Sequence, residues 1–320
     1  MPRYGRVVVK LSGEALAGPA GSGVDPASLG QVADEVLSLH DLGVQVAVVV
    51  GGGNYFRGRM AEGWGISRAE ADNIGMLGTV MNALMLRGVI MARTHSDVRV
   101  MTAIPIQSVA EPFIRLRATR HLERGVIVLL AGGIGQPYVT TDYPAVQRAL
   151  ELEADALLVA KRGVDGVYDS DPHVNPDAVR YTDVTYAEAL AAGVRVMDTS
   201  ALVLANEQGL TMHVFDVAAT GVMREICSGA DLGTRISVKL LPPPAAPLRR
   251  RPPDHESRSP LSPRRLDDHE AQAEQVRARR SRRGRGDQRH ADVPRPEAPV
   301  GRGDPRQQAV LADSQPGQPG

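Results

Sequence analysis

The pattern that most constrains this chain occurs three times: a short unbroken run of β-branched and aliphatic residues that ends in a glycine-rich turn. Val7-Val8-Val9 leads into Lys10-Leu11-Ser12-Gly13, Val46 to Val50 into Gly51-Gly52-Gly53-Asn54, and Val126 to Leu130 into Gly132-Gly133-Ile134-Gly135. Apolar runs without polar alternation belong to strands covered on both faces, as in a parallel sheet. Glycine at the strand end lets main-chain N–H groups wrap an oxyanion with no Cβ in the way. One such turn says little. Three, with Lys10 and Arg57 beside two of them, predict a cleft that gathers several phosphates.

Between the runs the apolar period changes from continuous to helical. Asp25-Pro26 reads as an N-cap with proline at the first helical position, and Leu29, Val32, Ala33 and Val36 follow at helical spacing until Gly43. Ser67-x-x-Glu70 is a capping box that opens a long helix, with Ile74, Leu77, Met81 and Leu84 as its expected core stripe. Val98 to Ala103 is a strand, and an arginine-rich helix separates it from the run at Val126. Pro144 opens a helix through Leu152, Ala156 to Ala160 is a short strand, Thr185-x-x-Glu188 and Asp198 cap two further helices, and Met212 to Phe215 closes the sheet. Strands alternating with helices imply right-handed crossovers and a doubly wound α/β sandwich, a mostly parallel sheet between helical layers. In such sheets ligands bind beyond the carboxyl ends of the strands, where all three glycine turns fall.

Charge divides the 320 residues in two. Residues 1–237 hold 20 basic and 26 acidic residues, a net of −6; residues 238–320 hold 17 and 11, a net of +6. The second part carries 14 of the 23 prolines, no aromatic residue, and runs such as Arg277-Ala278-Arg279-Arg280-Ser281-Arg282-Arg283. It has too little apolar surface to offset the entropy of ordering, so an acidic globular domain over 1–237 and a disordered tail over 238–320 are expected. Without aromatics to stack on bases, specific nucleic-acid binding by that tail is not expected. Cys227 is the sole cysteine and the eight histidines show no ligand spacing, which argues against a disulfide framework or a transition-metal site. The short charged start, and the lack of an apolar run near the ~18 residues a bilayer requires, point to a cytoplasmic protein without a membrane segment. Only Lys10, Lys161 and Lys239 are lysines, so Lys10 and Lys161 stand out where arginine is the rule.

Individual residues carry two readings each. Lys10, at the end of the first strand, either ends it in solvent or sets a positive charge over a transferring phosphate. Arg57 would fork onto phosphate oxygens. Asp72, placed in the first turn after Ser67, suits the helix dipole and equally a ligand hydroxyl such as a ribose. Gly132 to Asp142 offers glycine N–H groups, the hydroxyls of Thr140 and Thr141, and a carboxylate; Asp142 either caps the Pro144 helix or orients the lysine or a metal ion. Asp165-Gly166 suggests a tight hairpin, beside which Tyr168 and Asp171 either stay at the surface or meet a purine and its ribose or a hydrated magnesium.

Taken together, Lys10 to Leu16 (KLSGEAL), Gly51 to Gly58 (GGGNYFRG), Pro137 to Asp142 (PYVTTD) and Val164 to Tyr168 (VDGVY) resemble the bacterial UMP kinases, or uridylate kinases, of the amino acid kinase superfamily. The resemblance runs from about Arg6 to Ile236. The P-loop pattern G-x-x-x-x-G-K-[ST] is missing, in keeping with that superfamily's different fold. It implies in-line transfer of the ATP γ-phosphoryl group to UMP, with Mg²⁺ carried on ATP rather than held by direct protein ligands, in pyrimidine nucleotide biosynthesis. By the same resemblance, Lys10 and Asp142 are catalytic. Lys10, Leu11, Ser12, Gly13, Gly53, Arg57, Arg162, Tyr168 and Asp171 take ATP. Gly52, Asp72 and the loop Ile134, Gly135, Gln136, Pro137, Tyr138, Val139, Thr140 and Thr141 take UMP. Such enzymes are allosteric homohexamers activated by GTP and inhibited by UTP. The glycine order at 132–135 departs from the family's usual one, and so does the charged Arg162. Two other classes fit the turns alone: a superfamily kinase acting on an amino-acid carboxylate, and a nucleotide sensor without turnover.

Overall fold

The computed structural model describes residues 1–56, 61, 63–170, 174–193 and 196–239. Arg57, Asp171 and the tail from residue 240 onward lie outside the described residues. Nine strands form the main sheet: β1 (Arg6–Leu11), β2 (Gln45–Val50), β3 (Val98–Thr102), β4 (Glu111–Pro112), β5 (Ile127–Ala131), β6 (Ala156–Lys161), β9 (Asp183–Thr185), β10 (Thr211–Asp216) and β11 (Thr234–Ser237). Their spatial order is β4-β3-β5-β2-β1-β6-β10-β11-β9, and every neighbouring pair is parallel except β10 with β11. The doubly wound, mostly parallel α/β/α sandwich is therefore the observed architecture. Met212 to Phe215 does not close the sheet, because β11 and β9 continue it beyond β10.

Alternate strand residues feed two cores, as the two-residue period requires. Val7, Val9 and Leu11 face one layer, built on helices α2 (Pro26–Asp41), α3 (Arg68–Met91) and α8 (Val222–Ser228), with the short α1 (Glu14–Ala17) at its rim. Val8, Val49 and Val128 face the other, built on α4 (Arg115–Glu123), α5 (Asp142–Glu151), α6 (Tyr186–Ala191) and α7 (Thr199–Glu207). Asp25, Ser67 and Thr185 cap their helices through their side chains, where the sequence puts them. Asp25 accepts from the Ser28 N–H, and Thr185 with Glu188 forms a complete capping box.

Three expectations need correction. Of the stripe Ile74, Leu77, Met81, Leu84, Leu84 is partly buried against the core, but Leu77 and Met81 are 49% and 47% exposed, and α3 instead buries Ala71, Val80, Asn82, Ala83, Leu86 and Ile90. Apolar residues surround this helix on both sides, so period alone had two candidate faces to choose from. For the same reason α3 is, among the described residues, the one helix long and apolar enough to cross a membrane, although its inner face packs on β2, β3 and β5. Finally, Asp165-Gly166 does not join two paired strands; β7 (Val167–Tyr168) pairs antiparallel with β8 (Arg180–Tyr181) instead.

Candidate functional site

The three glycine turns leave the carboxyl ends of β1, β2 and β5, which are consecutive neighbours in the sheet. Leu11 is level with Val50, and Val49 with Leu130, so the strands end nearly flush and the turns meet above one edge. They touch closely enough to require glycine. A Cβ on Gly51 would lie 2.8 Å from the Gly13 nitrogen, and one on Gly13 would lie 2.6 Å from the Gly53 nitrogen. Gly132, at φ +74°, donates its N–H to the Thr79 hydroxyl of α3 at 2.7 Å. Arg148 of α5 supports the third turn from below, donating to the Gly133 carbonyl at 3.3 Å while its guanidinium stacks 3.7 Å from the Phe113 ring centroid.

Lys10 is buried to 4% exposure and its ammonium lies 2.9 Å from Asp142. A buried ammonium is tolerable only with such a partner. Asp142 stands at the first residue of α5, and Thr141 rather than Asp142 occupies the cap position. The other Asp142 oxygen accepts from the Asp198 N–H at 3.0 Å, the Thr140 hydroxyl donates to the Asp198 carboxylate, and the Asp142 N–H donates to Thr140 at 3.2 Å. Asp198 thus keeps the cap position of α7 by its main chain, whereas its side chain makes no cap bond and turns to Thr140. Lys161, at the end of β6 beside β1, completes the group. Burial, and then the like charge of Lys10, hold its pKa below that of an ordinary lysine, against the pull of Asp142, Glu14 and Asp198.

A cleft of about 260 Å³ opens between the second and third turns and α3. Gly52, Gly53, Asp72, Ile134, Gln136, Val139, Thr140 and Thr141 all line it. Asp72 sits one turn farther into α3 than expected; its carboxylate takes the Arg68 guanidinium at 2.9 Å and the Tyr138 N–H at 2.7 Å. Tyr138 carries φ +68°, uncommon without glycine, and its side chain is exposed. Gly135 (φ +77°) and Pro137 belong to the same loop.

The remaining assignments separate. The Leu11 side chain is wholly in the core, so only its main chain reaches the turn, where its carbonyl accepts from Gly51 at 2.8 Å. Arg162 turns to α2 and donates to the Ser28 hydroxyl at 3.2 Å, in a small cavity away from Thr140. The Tyr168 hydroxyl donates to Asp165 at 2.6 Å, which raises its pKa. Lys161, Asp198, Asn54, Asn82 and Thr79 were missed as site residues. Lysine rarity flagged Lys161, and Asn54 ends the second glycine turn. Asn82 and Thr79 carried no signal beyond being polar in an apolar helix.

A sequence profile described as the Amino acid kinase family matches residues 5–216. The chain belongs to the amino acid kinase family. Within it, the chain is 57% identical over 236 residues to a uridylate kinase of Frankia alni, an alignment covering 74% of this chain and 92% of that protein. A uridylate kinase of Pediococcus pentosaceus is 46% identical, with 73% and 97% covered. Among solved structures, UMP kinase from Bacillus anthracis superposes with a TM-score of 0.73 at 54% identity, covering 74% of this chain and 97% of that one. UMP kinase from Ureaplasma parvum gives 0.69 at 32% identity, with 73% and 99% covered.

Proposed function

We propose that this amino acid kinase family member transfers the γ-phosphoryl group of ATP to UMP, giving UDP and ADP. The observation that carries the reading is the convergence of three glycine turns on one sheet edge beside the buried Lys10–Asp142 pair. Relatives at 46–57% identity named uridylate kinase support the choice of acceptor. The cleft lined by Asp72, Thr140 and Thr141 suits UMP, with Asp72 toward the ribose. The turns after β1 and β2 suit the ATP phosphates, with Ser12, Gly13 and Gly53 as main-chain or hydroxyl donors; Arg57 is assigned to the same phosphates. Tyr168 and Asp171 are assigned to the adenosine.

Phosphoryl transfer asks the protein mainly for position and charge. Lys10, held by Asp142, and Lys161 next to it place two ammonium groups where negative charge builds on the β–γ bridging oxygen as the γ-phosphoryl group leaves ADP. Asp142 and Asp198 keep Lys10 and Thr140 in fixed orientation. UMP arrives as an ionised nucleophile, so no general base is required. ATP enters as its Mg²⁺ complex; Asp142 and Asp198 are the carboxylates at the site that suit a hydrated ion, and the ion supplies further charge neutralisation when bound.

Release of ADP in a coupled assay with UMP, CMP, glutamate or aspartate as acceptor tests the assignment. Turnover with UMP well above the rest is expected. Turnover with an amino acid, or nucleotide binding without turnover, would overturn it. We further propose a cytoplasmic homohexamer of the pyrimidine pathway, with GTP as activator and UTP as inhibitor. The outward apolar stripe Leu77, Met81 and Met91 on α3 supports assembly, and light scattering of the full chain measures it.

A further inference from the structure

We infer that Asn82 is a positioning residue for phosphoryl transfer, acting through Asn54 to hold the first two glycine turns against each other. The inference rests on the kinase reading above and adds a residue to it.

Asn82 is fully buried on the inner face of α3, among Val80, Ala83, Leu86 and Ile90, and Asn54 is 3% exposed. Their side-chain amides pair reciprocally: Asn82 Nδ2 donates to Asn54 Oδ1 at 2.8 Å, and Asn54 Nδ2 donates to Asn82 Oδ1 at 3.1 Å. The second proton of each amide goes to main chain, from Asn82 to the Gly51 carbonyl and from Asn54 to the Gly23 carbonyl, both at 2.7 Å. Gly23 returns the bond, donating its N–H to the Asn54 carbonyl at 2.9 Å. Every side-chain N–H of the pair is used.

A buried polar pair contributes little net stability over an apolar pair of the same volume, and it is costly when half-satisfied. Apolar residues would fill this space. They would not orient the Gly51 and Gly23 peptide planes. Orientation matters here because Asn54 is where the first turn rests on the second: a Cβ on Gly13 would lie 2.5 Å from Asn54 Oδ1. The amide pair lies behind Gly52 and Gly53, which line the cleft, so Asn82 acts on substrate only through the turn. Small displacements of such donors cost much in rate and little in binding.

The test is steady-state kinetics with ATP and UMP on the full chain carrying Asn82→Leu, Asn54→Ala, and both, at a temperature where circular dichroism shows each variant folded. Asn54→Ala leaves α3 unchanged and serves if Asn82→Leu does not fold. We expect kcat to fall at least tenfold in each single variant with KM for UMP within about threefold. The double variant should be no slower than the slower single, because one network is lost once. A kcat within twofold of the parent, or losses that multiply in the double variant, would overturn the inference alone. A parent chain inert with UMP would overturn the kinase reading and the inference with it.

Discussion

At the scale of single residues, burial decides what a charge or a titrating ring can do. Lys10 is the clearest case: it is buried, fixed by Asp142, and sits beside the turn after β1. Lys10→Ala should lower kcat by about 10²–10³, the usual cost of removing a preorganised charge from a transition state, with modest change in UMP affinity. Near-normal ADP release by a folded variant would refute the role. His213 belongs to the scaffold instead. It is 3% exposed in β10, 2.8 Å from the Tyr4 hydroxyl, and burial lowers its pKa to about 3, with Arg3 and Arg235 pushing the same way. Between pH 6.5 and about 3 the unfolded chain binds a proton there that the folded chain does not. This contribution is complete above pH 6.5 and is lost as pH falls, at up to about 1.4 kcal/mol per pH unit. His213→Gln leaves Tyr4 a partner and should flatten the fall in melting temperature between pH 6.5 and 5. Parallel melting curves would show that His213 does not drive that slope.

Elements show why some of the site was readable and some was not. The strands of the sheet's centre were legible because β1, β2, β5 and β6 each carry an unbroken apolar run, and the glycine turns after β1, β2 and β5 announced the site. The inner face of α3 was not legible, because the residues that dock it are Gly78, Thr79 and Asn82 while Leu77 and Met81 point outward. Its docking is set by backbone approach. A Cβ on Gly52 would lie 2.4 Å from the Gly75 carbonyl and 2.9 Å from the Thr79 nitrogen, both main chain of α3 with no flexible end to yield. Gly52→Ala should therefore push the helix off the turn, at a cost of about 1–3 kcal/mol typical of overpacking, and lower activity as well. Gly53→Ala meets nothing within 4 Å and should melt close to the parent. Equal melting temperatures for the two variants, read by calorimetry, would contradict this account of how α3 is seated. The same physics explains Asp198: a cap signal is local, whereas the turn of its carboxylate toward Thr140 depends on α5 and α7 meeting, which no local pattern encodes.

For the whole molecule, both charge and similarity set the last part of the chain apart from the rest. The family profile ends at residue 216, and relatives covered over 92–97% of their own length take up only 73–74% of this chain. Residues 1–237 carry the net −6 and residues 238–320 the net +6. A basic segment attached to an enzyme for anionic nucleotides invites the idea that it gathers substrate. Screening argues against that at physiological salt, where the Debye length is about 8 Å and charges spread along a segment act only locally. Lys10 and Asp198 also have partners among the described residues: Lys10 with Asp142, and Asp198 with Thr140. A chain ending at Lys239 should accordingly keep kcat and KM for ATP and UMP within about twofold at 150 mM salt, a range in which surface charge is largely screened. Lowering the salt should widen any difference between the two chains in KM rather than in kcat, since long-range attraction changes encounter and not the chemical step. A tenfold loss of kcat on truncation at either salt would place the tail in the catalytic cycle instead.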